Sequence, residues 1–151
     1  MIDLSSKVPI AYIDIRVFAH ATEDIEKVLK AVYNILPTEL ADEIVFKKTN
    51  LRGHYRNPIV LLETRIKKRE AVETIFRKLT SGLSSLDKEL LNIEIKQHLK
   101  KGNLFIRLDK QSAYLNELKL RSDDPIHFRI HFRKSRLEEI MEICRKFGML
   151  P

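Results

Sequence analysis

The segment Ile126-His127-Phe128-Arg129-Ile130-His131-Phe132-Arg133 has the most regular pattern in the chain, because apolar and polar residues alternate throughout it. A period of two is typical of a β-strand with one buried face and one open face. The turn signal Asp123-Asp124-Pro125 precedes it. Ser135-Arg136-Leu137-Glu138, which reads as a capping box, predicts the start of a final helix whose apolar stripe ends at Gly148.

The same reasoning predicts elements upstream of this segment. Ile10 to Ala19 alternates and predicts a first strand, with Tyr12, Asp14, Arg16 and Phe18 on the face opposite its apolar residues. Helical spacing follows, and we expect Thr22 to cap that helix and Pro37 to stop it.

The middle of the chain predicts a hairpin followed by helices. Strands over 44–49 and 58–66 flank a loop in which Gly53 can take a positive φ. A helix with its stop at Gly82 follows, and a third helix runs from a Ser84 or Ser85 cap to about Lys100. Segments 104–108 and 114–120 complete the strands, the second of them with the weaker pattern.

The predicted order is therefore β-α-β-β-α-α-β-β-β-α. Hairpins exclude a uniform strand-helix alternation, so the fold class is α+β: a mostly antiparallel sheet with helices packed on one face, in two layers. No linker or internal repeat divides the chain, and we expect one domain over residues 1–151.

Composition excludes several classes of protein. The chain has 151 residues, a net charge of +7 and one cysteine, so an intramolecular disulfide and a cysteine-rich zinc cluster are both impossible. No apolar run has the roughly 20 residues of a membrane span. Four scattered glycines form no nucleotide-binding loop, so we expect no cofactor. The predicted location is the cytoplasm.

The basic charge is concentrated in the predicted hairpin, which is the first candidate site. Residues 44–69 hold eight basic side chains and one acidic side chain. Clustered cations bind polyanions by releasing condensed counterions, and an aromatic ring can stack on an unpaired base. The candidate RNA-binding residues here are Lys47, Lys48, Arg52, His54, Tyr55, Arg56, Asn57, Lys67 and Lys68. A solvated basic hairpin would show the same pattern.

Two further segments add candidate contacts. Arg107 and Asp109 are expected on one strand face, with Lys110 and Gln111 in the turn that follows. Arg129 and Arg133 lie on the polar face of the last strand. We predict that Arg107, Lys110, Gln111, Arg129 and Arg133 contact RNA.

No residue pattern points to catalysis or metal binding. His127 and His131 are four residues apart, which on a strand is about 13 Å and too far for one ion. Cys144 lies in the apolar stripe of the last helix, where a thiol behaves as a small hydrophobe. Each group of carboxylates has a structural explanation, because Asp123-Asp124 lies in a turn, Asp42-Glu43 precedes a strand, and Glu138-Glu139-Glu142 lies on a capped helix. We therefore predict no catalytic residue and no metal ligand.

Two segments, together with the order of the elements around them, resemble a family of small archaeal proteins described as predicted RNA-binding or exosome-associated. The segments are Gly53-His54-Tyr55-Arg56-Asn57-Pro58-Ile59 and Arg107-Leu108-Asp109-Lys110-Gln111. In that family a glycine is usual where Arg56 stands, and another near Asn116. The resemblance implies a domain similar to the large-subunit ribosomal protein that binds 5S RNA. It also implies a homodimer, a role in ribosomal RNA maturation or exosome-linked turnover, and exosome or ribosome-assembly proteins as partners.

The leading hypothesis is a non-catalytic RNA-binding protein. One alternative is an interaction module whose basic patch docks an acidic protein partner. Another is a small phosphoesterase or nuclease that uses His54 with Asp109 or with a carboxylate in a turn.

Overall fold

A computed structural model describes residues 9–151 and shows an open six-stranded sheet with helices on one side. The strands are β1 (Ile10–His20), β2 (Lys47–Arg52), β3 (Pro58–Ile66), β4 (Leu99–Lys100), β5 (Asn103–Leu108) and β6 (Ile126–Phe132). The helices are α1 (Ile25–Asn34), α2 (Arg69–Gly82), α3 (Ser85–Ile93), α4 (Ile95–His98), α5 (Lys110–Tyr114) and α6 (Leu137–Phe147). The α+β prediction is confirmed.

The sheet has the order β2-β3-β1-β6-β5-β4, and all neighbours are antiparallel. β1 and β6 lie in the middle, and every second residue on them is apolar and buried, as at Ile15 and Phe128. These residues form the inner face of the sheet, against which the helices pack. The alternation that predicted both strands is confirmed.

The helices bury their apolar stripes against this inner face. Phe76 of α2 makes edge contacts with Phe132 of β6 at 6.1 Å and with Phe147 of α6 at 6.3 Å between ring centroids. Cys144 is fully buried nearby, and burial raises the pKa of its thiol to about 12, as expected of a packing residue. Gly148 ends α6 in the left-handed conformation, as predicted.

Two predicted boundaries in the first half of the chain are wrong. Asp24, and not Thr22, caps α1, because its carboxylate accepts the amide N–H of Glu26. The second strand starts at Lys47 and not at residue 44, since Ile44 and Phe46 are buried in the core and precede it. Because these residues pack into the core, the strand begins three residues later than the apolar pattern predicts.

The second half departs more from the prediction. Ser84 does cap α3, but the helix ends at Ile93, and the short α4 and β4 occupy the segment to Lys100. The strand predicted over 114–120 is absent there: α5 and a loop take its place, with one isolated bridge between Leu108 and Leu120.

One local mechanism also differs from expectation. Arg136 is the residue that precedes α6, without a side-chain hydrogen bond, so the predicted capping box does not form. α2 ends at Gly82, as predicted. Over residues 9–151, no helix combines the length and the apolar composition needed to span a bilayer.

Candidate functional site

The second face of the sheet, which we call the open face, presents polar and aromatic side chains that are exposed or half buried. The antiparallel register sets these side chains in rows across the strands. One row, which we call the charged row, crosses five strands in the order Arg107, His127, Arg16, Glu63 and Lys47. The row beside it, which we call the clamp row, contains Phe105, Arg129, Asp14 and Arg65.

The clamp row is organised by one carboxylate between two guanidinium groups. Arg65 donates to both oxygens of Asp14 from Nε at 2.7 Å and Nη2 at 3.0 Å, and Arg129 Nη2 donates to Oδ2 at 2.8 Å. Burial acts to raise the pKa of Asp14, but these hydrogen bonds outweigh it and hold that pKa below its usual value. The Asp14 hydrogen bond in turn raises the pKa of Arg65. The three groups together have one net positive charge.

His127 lies at the centre of the cationic part of the face. Its register partners are Arg16 on one side and Arg107 on the other. Burial, and then the charges of Arg107, Arg16 and Arg129, lower the pKa of His127 to about 4. The imidazole is therefore neutral at physiological pH, and the positive potential around it comes from the arginines.

Few of the cations on the charged row are neutralised. Arg16 has a long contact with Glu63, at 3.7 Å, and half of its side chain is exposed. Within the described residues Arg107 has no acidic partner and lies over the ring of Phe105 at 5.5 Å. These arginines can therefore bind an external anion without first giving up a strong internal pair.

Aromatic rings are interleaved with these cations. Tyr12 stacks on His131 at 4.7 Å, and the Arg65 guanidinium lies 4.0 Å from the centroid of Tyr12. Phe105 lies 5.5 Å from the ring of His127, and Phe18 at the next row is exposed. Cations that alternate with stacking surfaces are the combination that holds the backbone and bases of single-stranded nucleic acid.

The predicted loop forms an exposed tip at the far end of the β2–β3 hairpin. Tyr55 and Arg56 both take positive φ, 57° and 62°, and Tyr55 is 87% exposed. Gly53 does not take a positive φ; a Cβ there would meet the end of the Ile59 side chain, which would have to shift to make room for it.

The structure divides the sequence-predicted residues among several places. Lys47, Arg107 and Arg129 lie on the open face, in the charged and clamp rows. By strand alternation Lys48 and Arg52 point to the other side of β2. Arg56 and Asn57 are exposed at the tip, which lies about 17 Å along β2 from Lys47. The His54 side chain lies outside the described part of the molecule.

The remaining predicted residues lie beyond these two areas. Lys67 and Lys68 follow β3 and are exposed, and Lys68 contacts Glu43 at 3.6 Å. Arg133 follows β6, where its amide donates to the carbonyl of Pro9. Gln111 is exposed on α5, next to a depression between α5 and α1.

Lys110 is enclosed by oxygen atoms instead of reaching solvent. Its ammonium group donates to the Phe18 carbonyl at 2.6 Å, to Glu23 at 3.0 Å and to Asp124 at 2.9 Å. His20 contacts the same Asp124 carboxylate at 2.9 Å. Because the ammonium occupies the space among these acidic groups, the cluster ties the end of β1 to α5. Asp109 caps α5 through Ser112 and therefore does not share a strand face with Arg107.

Sequence reasoning missed several residues of the open face. The missed residues are Tyr12, Arg16, Phe18, Arg65, Phe105 and His127. Their signal was present in the alternation of β1 and β6, which places the polar residues of each strand on one face. What the alternation could not give was the order of the strands, which brings residues from five strands into one row.

Comparisons with known proteins identify the family of this chain. A family described as RNA binding matches residues 12–132, most of the chain. The chain belongs to this RNA-binding family. The resemblance to archaeal RNA-binding proteins is thereby confirmed, and the matched residues contain all strands from β1 to β6 except the first two positions of β1.

Relatives of this RNA-binding family member are archaeal. An RNA-binding protein of Pyrococcus abyssi, PAB1135, is 35% identical over 130 residues, which cover 84% of each chain. A crystal structure from Archaeoglobus fulgidus, titled as DUF54, has a TM-score of 0.78 at 27% identity and covers 91% of this chain and 99% of its own. A third, from Sulfolobus solfataricus, has a TM-score of 0.72 at 30% identity, with 90% and 96% covered.

Two turns for which the resemblance implies a glycine, at Arg56 and near Asn116, do contain backbone that favours glycine. Arg56 and Asn116 take φ values of 62° and 64°, in the left-handed region. Both turns therefore hold a non-glycine residue in a conformation that glycine adopts without steric cost.

Proposed function

We propose that this chain is a non-catalytic RNA-binding protein that holds an unpaired strand against the open face of its sheet. The observation that supports this most directly is the row of cations beside aromatic rings, with Arg16, His127 and Arg107 in one register. Guanidinium groups would hold phosphates, and Phe18, Phe105 and Tyr12 offer ring faces to unpaired bases. The hairpin tip at Tyr55 and Arg56 would extend this surface beyond the sheet.

This assignment moves the centre of the proposed site from the hairpin to the sheet. Lys47, Arg107 and Arg129 remain in it from the sequence prediction, while Lys110 is left out because its charge is already satisfied by acidic groups. The predicted cations outside the open face would act at longer range, by attracting the RNA strand electrostatically. These cations are Lys48, Arg52, Lys67, Lys68 and Arg133.

Fluorescence anisotropy with labelled RNA tests the proposal. Single-stranded and duplex oligonucleotides are titrated at several salt concentrations, and the log–log slope is expected to be roughly −0.7 per phosphate neutralised for the single strand. Arg16→Gln should weaken binding several-fold and reduce that slope by about one contact. Arg145→Gln, at an exposed arginine of α6 in the helix layer, is the matched control and should leave the affinity unchanged.

An affinity that is insensitive to salt, or equal losses in Arg16→Gln and Arg145→Gln, would remove the open face from consideration. Failure of all RNAs at low salt would favour the alternative in which the basic surface docks an acidic protein. Incubation of the protein with labelled RNA and divalent metal tests for hydrolysis, and cleavage abolished by His54→Ala would contradict a non-catalytic role.

We further propose, from the family resemblance, a cytoplasmic setting in RNA processing, either ribosomal RNA maturation or exosome-linked turnover. Exosome or ribosome-assembly proteins would be the partners, and the protein would act as a homodimer with residues 1–151 as one RNA-binding domain. Sedimentation of the purified chain measures the oligomeric state. Crosslinking followed by sequencing of the bound RNA identifies the process.

A further inference from the structure

The charged and clamp rows together hold five cations and two carboxylates, a net charge of +3 that exceeds what one backbone phosphate requires. Arg16 and Arg107 flank His127 on the two neighbouring strands, so their Cα atoms are about 10 Å apart, at twice the strand spacing. Arg129 follows two residues along β6 on the same face. Side chains from both flanks can therefore reach one group seated above the imidazole.

Part of the arginine cluster around His127 lines a depression of suitable size. A cavity of about 610 Å³ lies over this part of the open face, and its walls include Arg16, His127, Arg129 and Phe105 together with the carboxylates of Asp14 and Glu63. Arg107 does not line the cavity itself, but its guanidinium lies over the ring of Phe105, which does. Volumes of several hundred Å³ are typical of sites for small organic ligands, and a single nucleotide falls in this range. Phe105 lies beside Arg107 and His127, where its ring could stack on the base of the nucleotide that carries the phosphate.

We propose that Arg16, Arg107 and Arg129 form a subsite for a terminal phosphate of the RNA, and that the protein thereby distinguishes phosphorylated RNA ends from hydroxyl ends. A phosphomonoester has nearly two negative charges and three strong acceptor oxygens, whereas a backbone phosphodiester has one charge and two non-bridging oxygens. The guanidinium groups of Arg16, Arg107 and Arg129 would supply several donors for these acceptor oxygens, and the net positive charge of the two rows suits a group with nearly two negative charges. This subsite deepens the RNA-binding proposal and rests on it for the rest of the strand.

The internal pairs of the cluster favour an external ligand at Arg107 in particular. Arg129 is held by Asp14, and Arg16 has its long contact with Glu63. Arg107 has no such partner within the described residues, so it can turn toward a phosphate at little cost. Its substitution is also the least disruptive to the fold, since no ion pair is broken.

The experiment compares one oligonucleotide in three forms: with a 5′-phosphate, with a 3′-phosphate, and with hydroxyl groups at both ends. One of the phosphorylated forms should bind about tenfold or more tightly than the hydroxyl form, the size of one to two charge-assisted hydrogen bonds. Arg107→Gln should abolish this preference, because it should weaken binding of the phosphorylated form at least tenfold more than binding of the hydroxyl form. Arg145→Gln should retain the preference.

A second titration, with a nucleoside monophosphate and the matching nucleoside, separates this subsite from the RNA-binding proposal. If all three RNA forms bind equally, RNA binding stands and the subsite is overturned. The same holds if the preference survives Arg107→Gln. If no RNA binds but the monophosphate binds wild type and not Arg107→Gln, the subsite stands and the RNA-binding proposal fails. If neither binds, both fail.

Discussion

Replacing Asp14 with Asn should lower stability and raise RNA affinity, two effects of opposite sign from one substitution. The carboxylate accepts three hydrogen bonds, two from Arg65 and one from Arg129, and its side chain is 13% exposed. Loss of a partner in a buried ion pair costs about 3–5 kcal/mol, but both arginines here are more than one-third exposed and can hydrate. We therefore expect a loss of about 2 kcal/mol, which lowers Tm by about 4–8 °C in a chain of this size.

The gain in affinity follows from the charge that is removed. Asp14 lies two residues from Arg16 on β1, so its carboxylate is about 8 Å from a phosphate held at Arg16. At an effective dielectric constant of about 40, between surface and bulk values, that repulsion is about 1 kcal/mol. Asp14→Asn should thus bind RNA roughly fivefold more tightly at low salt, with the gain reduced as salt is added.

Thermal unfolding followed by circular dichroism measures the stability of this variant. Anisotropy at 25 °C measures its affinity well below the unfolding transition. A variant that remains folded at 25 °C but binds RNA more weakly would refute the reasoning, because it would mean that Asp14 acts by orienting the arginines and not as an opposing charge. An unchanged affinity would place the RNA away from the clamp row.

Three further predictions concern stability. Asn116→Gly should raise the free energy of unfolding by about 0.5–1 kcal/mol in chemical denaturation, because glycine relieves the positive φ of 64° there; a loss would mean that the Asn side chain supports the turn. Gly53→Ala should lower it by about 1 kcal/mol, since the new Cβ would displace the Ile59 side chain, and an unchanged value would show that Ile59 moves freely. Because the pKa of His127 is lowered in the folded state, the imidazole of the unfolded chain binds a proton more readily between pH 6.5 and 4. The free energy of unfolding should therefore fall by roughly 1 kcal/mol from pH 7 to pH 5, a value reduced to allow for the partial exposure of the ring. His127→Gln should flatten that part of the pH profile, and an identical profile in this variant would assign the dependence to another group.

Alternation and helical spacing predicted the central strands and most helices because burial on one side is what these patterns record. β6 and β3 were predicted to within a residue, and the last helix ends at Gly148 as expected. The errors lie where local or tertiary interactions differ from what the pattern records. Asp109 caps the short α5, which ends at Tyr114, and a loop follows it where the weak signal over 114–120 predicted a strand.

The candidate site was harder to predict for a geometric reason. Charge density along the chain pointed to residues 44–69, yet the hairpin separates its own cations onto two sides and two ends. Arg16 and Arg107 are 91 positions apart in sequence and meet only because β6 inserts between their strands. Local composition reports how many cations a segment has, whereas strand order determines which of them share a surface.

The same strand order has a consequence during synthesis. Because β6 lies between β1 and β5, a growing chain that has emerged only through Lys110 already contains Arg16 and Arg107 but has no element to join them. The basic residues of this incomplete chain are then dispersed. It attracts nearby ribosomal RNA only by the non-specific electrostatic force that any cationic polypeptide exerts. The surface that we propose for RNA is complete only after the C-terminal strand is added to the centre of the sheet, so that recognition of RNA at this surface would have to wait for folding to finish.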